Sequence, residues 1–394
     1  MLIGVCCRVE ATVELEPRDA GTMEQVLSRS GAVQKGNWTK VLLSDAVADG
    51  AVCLDGSPGG FFIRRNDGVD PRRWIVFHQG GGWCGSDANC ASRAATDLGS
   101  SVHWPSTYND LYEGSRLFDT PPFDRYTVVY AMYCDGGSWA GNVSAPVRVA
   151  NSTIYYRGRR ILDALLENLL HVQGMNAANE LLYAGCSAGA LTTYLHADYV
   201  RSRMPVTARV LALADAMFSL KHDAFGGSAG SYVRAMQWGF TAWCAAPSVN
   251  QACLEAQDAG QGYLCLFGAV AARYVSTPLF VLNAKYDTWQ EKAIIGVDCP
   301  MSQCNASVQR FWAAYGELMT ANADVLPLQH GAFLHGCSAH CQSGISLWEN
   351  ATVANVSMRI AFLNWHAAIV SNSTAPAARH IDRCDVTPCA GNRC

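Results

Sequence analysis

Charged residues are scarce in this chain of 394 residues, at 16% of the total, and they nearly cancel to a formal net charge of -4. Binding to nucleic acid needs a concentrated basic face, so that class of partner is not expected. Basic pairs such as Arg64-Arg65, Arg72-Arg73 and Arg159-Arg160 are isolated and read as solvated loops or helix faces. No stretch of about 18 uncharged apolar residues occurs, so no transmembrane segment is expected. Internal repeats and low-complexity blocks are missing too, which removes solenoids and arrays. There is no phosphate loop ending in Lys-Ser/Thr and no spaced G-x-G-x-x-G with a downstream acid. The cysteine pairs Cys84/Cys90, Cys299/Cys304, Cys337/Cys341 and Cys384/Cys389 lack the C-x2-C spacing of a zinc ribbon, so neither metal nor cofactor is expected.

Cysteine itself is abundant, with 17 in the chain. A reducing cytosol gives an ordinary enzyme no use for so many thiols, and a disulfide-bonded, secreted protein is the simpler reading. Asn-x-Ser/Thr sequons at Asn37, Asn142, Asn151, Asn305, Asn350, Asn355 and Asn372 point the same way, toward a glycoprotein. Met1 to Cys7 is apolar but short and lacks a basic flank, so a signal peptide is expected to be missing or trimmed. The odd count leaves at least one thiol without a partner in the chain. Cys186 and the Cys6-Cys7 pair are the candidates.

Half of the residues are apolar, enough to bury a sizeable core in one large domain. Short apolar runs at Trp74 to Phe77, Tyr126 to Tyr130, Leu181 to Tyr183, Val210 to Ala214 and Leu279 to Leu282 suit strands buried on both faces of a parallel sheet. Helical segments alternate with them, at Tyr155 to Gln173, Ala190 to Arg203 and Val308 to Met319. The expected fold is therefore α/β, with a mostly parallel central sheet, flanking helices and ligands at the carboxyl ends of the strands. The less regular segment from Phe218 to Ala272, with Cys244, Cys253 and Cys265, is expected to form a disulfide-stapled cap insertion. Residues 1–36 read as a poorly ordered extension, 37–370 as the catalytic domain, and 371–394 as a poorly packed Cys-containing tail.

Gly185-Cys186-Ser187-Ala188-Gly189 fits the G-x-S-x-G nucleophile elbow, in which small flanking residues permit a strained strand-to-helix turn. The pattern alone also fits a glycine-rich turn with no chemistry. Its context argues for chemistry, because Glu180 to Ala184 reads as a strand running in and Ala190 to Tyr199 as a helix running out. Gly80-Gly81-Gly82-Trp83 follows an upstream strand, where consecutive glycines let backbone N–H groups approach a ligand. Gly82, Trp83 and Ala188 are the candidate oxyanion donors. Asp287, past the strand ending near Ala284, is the candidate acid; Asp215 is the alternative, equally readable as a turn carboxylate. Of the ten histidines, His340 stands out as the base. It lies late in the chain on the loop Gly336 to Gln342, where a Cys337–Cys341 bridge could hold it, with His335 and His330 as fallbacks. The order Ser187, Asp287, His340 is that of the α/β-hydrolases.

Taken together, Gly80-Gly81-Gly82-Trp83-Cys84, Tyr133-Cys134-Asp135-Gly136, the elbow, Leu213-Ala214-Asp215-Ala216, Tyr286-Asp287-Thr288-Trp289-Gln290 and Ala339-His340-Cys341-Gln342 resemble the pectin acetylesterase family, to which the animal carboxylesterase Notum is related. The resemblance implies the triad and oxyanion donors named above, and bridges Cys84–Cys90 and Cys53–Cys134. Two positions depart from it: Gln79 stands where the family usually has Glu, and Ala190 where it usually has a third Gly. The implied activity is removal of O-acetyl groups from pectin or a related cell-wall polysaccharide by a monomeric serine esterase, with an acetylated polysaccharide as partner. A deacylase of lipid-modified protein and a catalytically silent secreted binding protein are the alternatives.

Overall fold

The computed structural model describes residues 38–65, 69–108, 113–228, 230–299, 303–373, 377–384 and 392–394. The expected extension 1–36, with Cys6 and Cys7, lies outside them, as do Asn37 and Cys389. All five apolar runs form strands. In chain order the main sheet holds β1 (Trp38–Leu42), β2 (Gly60–Arg64), β3 (Arg73–His78), β4 (Thr127–Ala131), β5 (Glu180–Cys186), β6 (Arg209–Asp215), β7 (Leu279–Asp287), β8 (Gly331–Ala339) and β9 (Arg379–Ile381). They form a 9-stranded sheet in the order β1-β2-β4-β3-β5-β6-β7-β8-β9. Strand β2 runs antiparallel to both neighbours, and every pair from β4 to β9 is parallel.

Burial explains why the central strands were readable. Ile75, Val76 and Phe77 of β3 and Leu181 to Ala184 of β5 are buried without alternation, because helices cover both faces. Each Ile, Val, Leu or Phe side chain among them, once removed from water, contributes about 1.5–3 kcal/mol. Helix α1 (Gly158–His171) buries Ile161, Leu162, Leu165, Leu166 and Leu169, one stripe at helical spacing. Helix α2 (Ala188–Arg203) is buried over most of its length and follows β5 directly. Between β6 and β7 lies α3 (Ser231–Ala242) with several short helical turns. The cap is stapled as expected, by Cys253–Cys265. Helix α4 (Ala306–Asp324) starts at Asn305, whose side chain accepts the N–H groups of Ser307 and Val308. Helix α5 (Met358–Val370) starts at Ser357 in the same way.

Three expectations change. The described part of the C-terminal tail at 377–384 is not poorly packed: β9 pairs with β8, and the buried Lys285 of β7 donates to the carbonyls of Asp382 at 2.9 Å and Cys384 at 2.6 Å. Cys337 bonds to Cys394 rather than to Cys341. Most of the segment is strand, and an extended chain carries residues four apart to about 13 Å, beyond the roughly 7 Å that a disulfide spans. Cys186 is not unpaired, because it bonds to Cys341. Cys53–Cys134 and Cys84–Cys90 form as the resemblance implied, and every described cysteine is disulfide-bonded.

Candidate active site

Parallel register brings the chemistry to one edge. His78 of β3 pairs with Gly185 of β5, Cys186 with Asp215 of β6, and Asp287 of β7 with Ala339 of β8. The next residues, Gln79, Ser187, Ala216, Thr288 and His340, therefore all leave the sheet at its carboxyl end. His340 follows a strand directly instead of sitting within a loop.

Ser187 joins β5 to α2 at φ 56 and ψ -121, a strained backbone for a residue with a Cβ, which costs of order 1–3 kcal/mol. The turn closes only because Gly189 lacks a side chain: a Cβ there would lie 2.0 Å from the His78 carbonyl oxygen. Both oxygens of Asp287 lie 2.9 Å from His340 Nδ1. Asp287 Oδ1 also accepts the N–H groups of Trp289 and Gln290, each at 3.0 Å, which fixes its rotamer. A ring nitrogen of His340 lies within 4.8 Å of the sulfurs of Cys186 and Cys341. The disulfide thus ties the residue before Ser187 to the residue after His340.

The glycine loop carries Gly82 at φ 65, a left-handed conformation that favours glycine. Among the described residues, the N–H groups of Gly82 and Trp83 donate to no carbonyl. Trp83 Nε1 donates to Ser138 Oγ at 2.7 Å, and Ser138 Oγ donates to the Ala188 carbonyl at 2.7 Å. One serine therefore couples the loop to the start of α2, where the Ala188 amide lies at a helix N-terminus.

The sequence matches the family described as Pectinacetylesterase over residues 32–393. The chain belongs to the pectinacetylesterase family. Pectin acetylesterase 11 of Arabidopsis thaliana is 32% identical over 343 residues, covering 82% of this chain and 86% of that protein. Pectin acetylesterase 7 of the same plant is 33% identical over the same shares. A palmitoleoyl-protein carboxylesterase, NOTUM of Schmidtea mediterranea, is 26% identical, covering 80% of this chain and 60% of that protein. The Wnt deacylase Notum from Drosophila superposes with a TM-score of 0.76 at 22% identity, over 89% of this chain and 97% of that one, a likeness of fold. As a member of this family the chain is a carboxylic-ester hydrolase with an α/β-hydrolase-like fold.

In this site the alternative residues have other work. Asp215 is wholly buried, and its oxygens accept the N–H groups of Gln342 at 3.0 Å and Ser343 at 2.7 Å, so it anchors the chain just past His340. Burial pushes its carboxyl up to about 6. His330 is held between Val275 and Leu279, and His335 accepts the Cys337 N–H. Burial pulls both down to about 4. For His340 burial acts in the same downward direction, but the charges of Asp287, Asp215 and Glu113 outweigh it and hold the imidazole above its ordinary value. An aromatic wall of Trp83, Tyr232 and Trp289 stands beside it, with Trp289 stacked on the His340 ring at 6.3 Å between centroids.

A polar cavity of about 300 Å³, lined by Arg73, Asn179, Glu180, Thr207, Arg209 and Val370, lies at the opposite, amino-terminal edge of the sheet. Its carboxylate, Glu180, is taken up by His366 and Tyr126, so the cavity is remote from the ester chemistry. Sequence reasoning missed Ser138, Glu113 and the Cys186–Cys341 bridge. The run Tyr133 to Gly136 marks the approach to Ser138, whereas nothing local marks the other two.

Proposed function

We propose that this esterase removes O-acetyl groups from pectin or a related cell-wall polysaccharide through an acyl-enzyme on Ser187. Ser187 Oγ attacks the acetyl carbonyl while His340 takes its proton at Nε2, because Nδ1 faces Asp287. The backbone N–H groups of Gly82, Trp83 and Ala188 receive the oxyanion. Collapse expels the sugar oxygen, which takes the proton from His340 and leaves as a free hydroxyl, and water then repeats the sequence to release acetate. These steps need no metal or organic cofactor. The bond from His340 to Asp287, at the same sheet edge as the strained Ser187, carries the reading of mechanism. The greater identity to the plant pectin acetylesterases, 32% and 33% against 26% for NOTUM, supports the acetyl substrate. The disulfides support a secreted protein.

Acyl length tests the substrate. A deep apolar pocket would gain roughly 0.8 kcal/mol per methylene, so six added carbons would favour an octanoate by about 5 kcal/mol. A shallow acetyl site reverses that preference. The expected result is higher kcat/KM on p-nitrophenyl acetate than on the octanoate, with acetate released from acetylated pectin. Octanoate preferred by about tenfold or more, with no acetate from pectin or acetylated xylan, would overturn the polysaccharide reading in favour of a lipid deacylase. A silent binding protein would leave a fluorophosphonate probe unreacted, since only an activated serine takes it up.

A further inference from the structure

A carboxyl group that the triad does not use lies against the glycine loop. Glu113 Oε2 accepts the Gly80 N–H at 2.7 Å and the Tyr130 hydroxyl at 3.2 Å. Its other oxygen lies close to the same glycine: a Cβ on Gly80 would lie 2.7 Å from Glu113 Oε1 and 3.0 Å from Ser187 Cβ. Glu113 and Ser187 therefore both crowd the position that a side chain at residue 80 would occupy, so only glycine fits there.

We propose that Glu113 is a positioning residue of this esterase, clamping the Gly80 N–H so that the loop presents the Gly82 and Trp83 amides to the oxyanion in one fixed geometry. The inference rests on the ester-hydrolysis site set out above.

A run of three glycines has more conformational freedom to lose than any other tripeptide, so a loop of that composition must be pinned from outside. Three side chains pin it. Arg93 Nη2 donates to the Gly81 carbonyl at 2.7 Å, and the Tyr133 hydroxyl donates to the Gly82 carbonyl at 2.8 Å. Glu113 holds the root of the loop, and it alone does so as an acceptor with negative charge. Ionised acceptors form bonds roughly twice as strong as neutral ones. Gln79, just before the loop, spends its side-chain oxygen on the Tyr133 N–H at 2.9 Å. The departure at position 79 thus leaves a neutral amide there, and the acid behind the loop comes instead from Glu113, 33 positions beyond Gly80.

Burial pushes the Glu113 carboxyl up to about 7, against the downward pull of the Gly80 and Tyr130 hydrogen bonds. The titratable groups that face it are Tyr108, Tyr130, Asp215 and His340. Glu113 ionises to tighten the clamp, and His340 loses its proton to serve as base. Both events fall on the acid side of the activity profile. Each also shifts the other, because an ionised Glu113 favours the imidazolium form of His340.

The test compares the wild type with Glu113→Gln on p-nitrophenyl acetate across about pH 5 to pH 9. The amide keeps the size and still accepts the Gly80 N–H, but it carries no charge and does not titrate. The expected result is a kcat lower by about tenfold or more with KM within about twofold, since the loop acts on the transition state. The acid limb should also relax from a slope approaching two to a slope of one, with its midpoint displaced to lower pH. A merely structural carboxylate would lower Tm and leave the slope alone. A kcat within about threefold of wild type and an unchanged limb would overturn the proposal. Fluorophosphonate labelling of Ser187 in the wild type separates the two readings: a labelled wild type with a normal Gln variant sinks only the role of Glu113, whereas an unlabelled wild type sinks the esterase mechanism as well. Should the Gln variant not fold, Glu113→Asp decides. Its carboxylate stops one methylene short of Gly80, so reduced kcat with the two-proton slope retained supports the clamp, and wild-type kcat refutes it.

Discussion

The bridge between Cys186 and Cys341 offers the sharpest separation of stability from catalysis. It closes a sequence separation of 155, for which chain entropy gives an upper limit of about 5 kcal/mol of stabilisation. Cys253–Cys265 in the cap closes a separation of 12, worth about 3 kcal/mol on the same scale. A chain of 394 residues unfolds with an entropy of about 0.8 kcal/mol/K, so the two losses correspond to falls in Tm of about 6 °C and 3–4 °C. Catalysis should respond very differently. The first bridge joins the neighbour of Ser187 to the neighbour of His340, and a misplacement of about 1 Å between reacting groups costs about a hundredfold. Cys186→Ala with Cys341→Ala should therefore lower kcat by about ten- to a hundredfold at a temperature where the variant is folded, whereas Cys253→Ala with Cys265→Ala should leave it within about twofold. Calorimetry gives the Tm values and p-nitrophenyl acetate the kcat. Equal kcat in the two double variants would refute the view that the first bridge sets the distance between nucleophile and base.

Ser187→Ala should lower kcat by several orders of magnitude with Tm nearly unchanged, and adding His340→Ala should cost little more, because the triad works as a unit; retention of more than about a tenth of kcat would show that another group attacks. The acid limb of wild-type kcat/KM should have its midpoint above about 6.5, because His340 must be neutral to accept a proton and Asp287, Asp215 and Glu113 raise it. Removing the Asp287 charge with Asp287→Asn should move that midpoint down while kcat falls about 10⁴-fold through loss of the correct tautomer, and a midpoint that stays put in a folded variant would show that Asp287 does not set the His340 charge.

Where a strand is buried on both faces its sequence is nearly all apolar, so β3 to β7 could be found from composition alone. The outer elements escaped for definite reasons. In β1 the buried Trp38 is followed by Thr39, Lys40, Val41 and Leu42, none of them buried, which is not a two-sided core pattern. Gly331, Gly336, Cys337 and Ser338 make β8 read as a loop, and only pairing with β7 reveals it as a strand that delivers His340. Strand β9 has three residues, Arg379, His380 and Ile381, and carries no periodicity at all.

The same distinction governs the site. Ser187 was legible because the elbow is a local constraint: Gly189 must be small against the His78 carbonyl, and that requirement is written into five consecutive residues. Asp287 and His340 were legible through their order along the chain, since Asp287 ends one strand, His340 directly follows another, and parallel strands deliver their ends to one edge. A disulfide partner has no such local trace. Cys341 looked closest to Cys337 by count, but β8 carries the two apart and sets Cys341 beside Cys186, a residue from the other side of the cap. Glu113 has still less, since no glycine pattern or strand end marks it and its role depends only on where the chain before α1 returns to meet Gly80. What can be read from sequence in this enzyme is whatever the backbone must satisfy within a few residues; what escapes is whatever the sheet assembles from a distance, and the second set is what holds the first in working order.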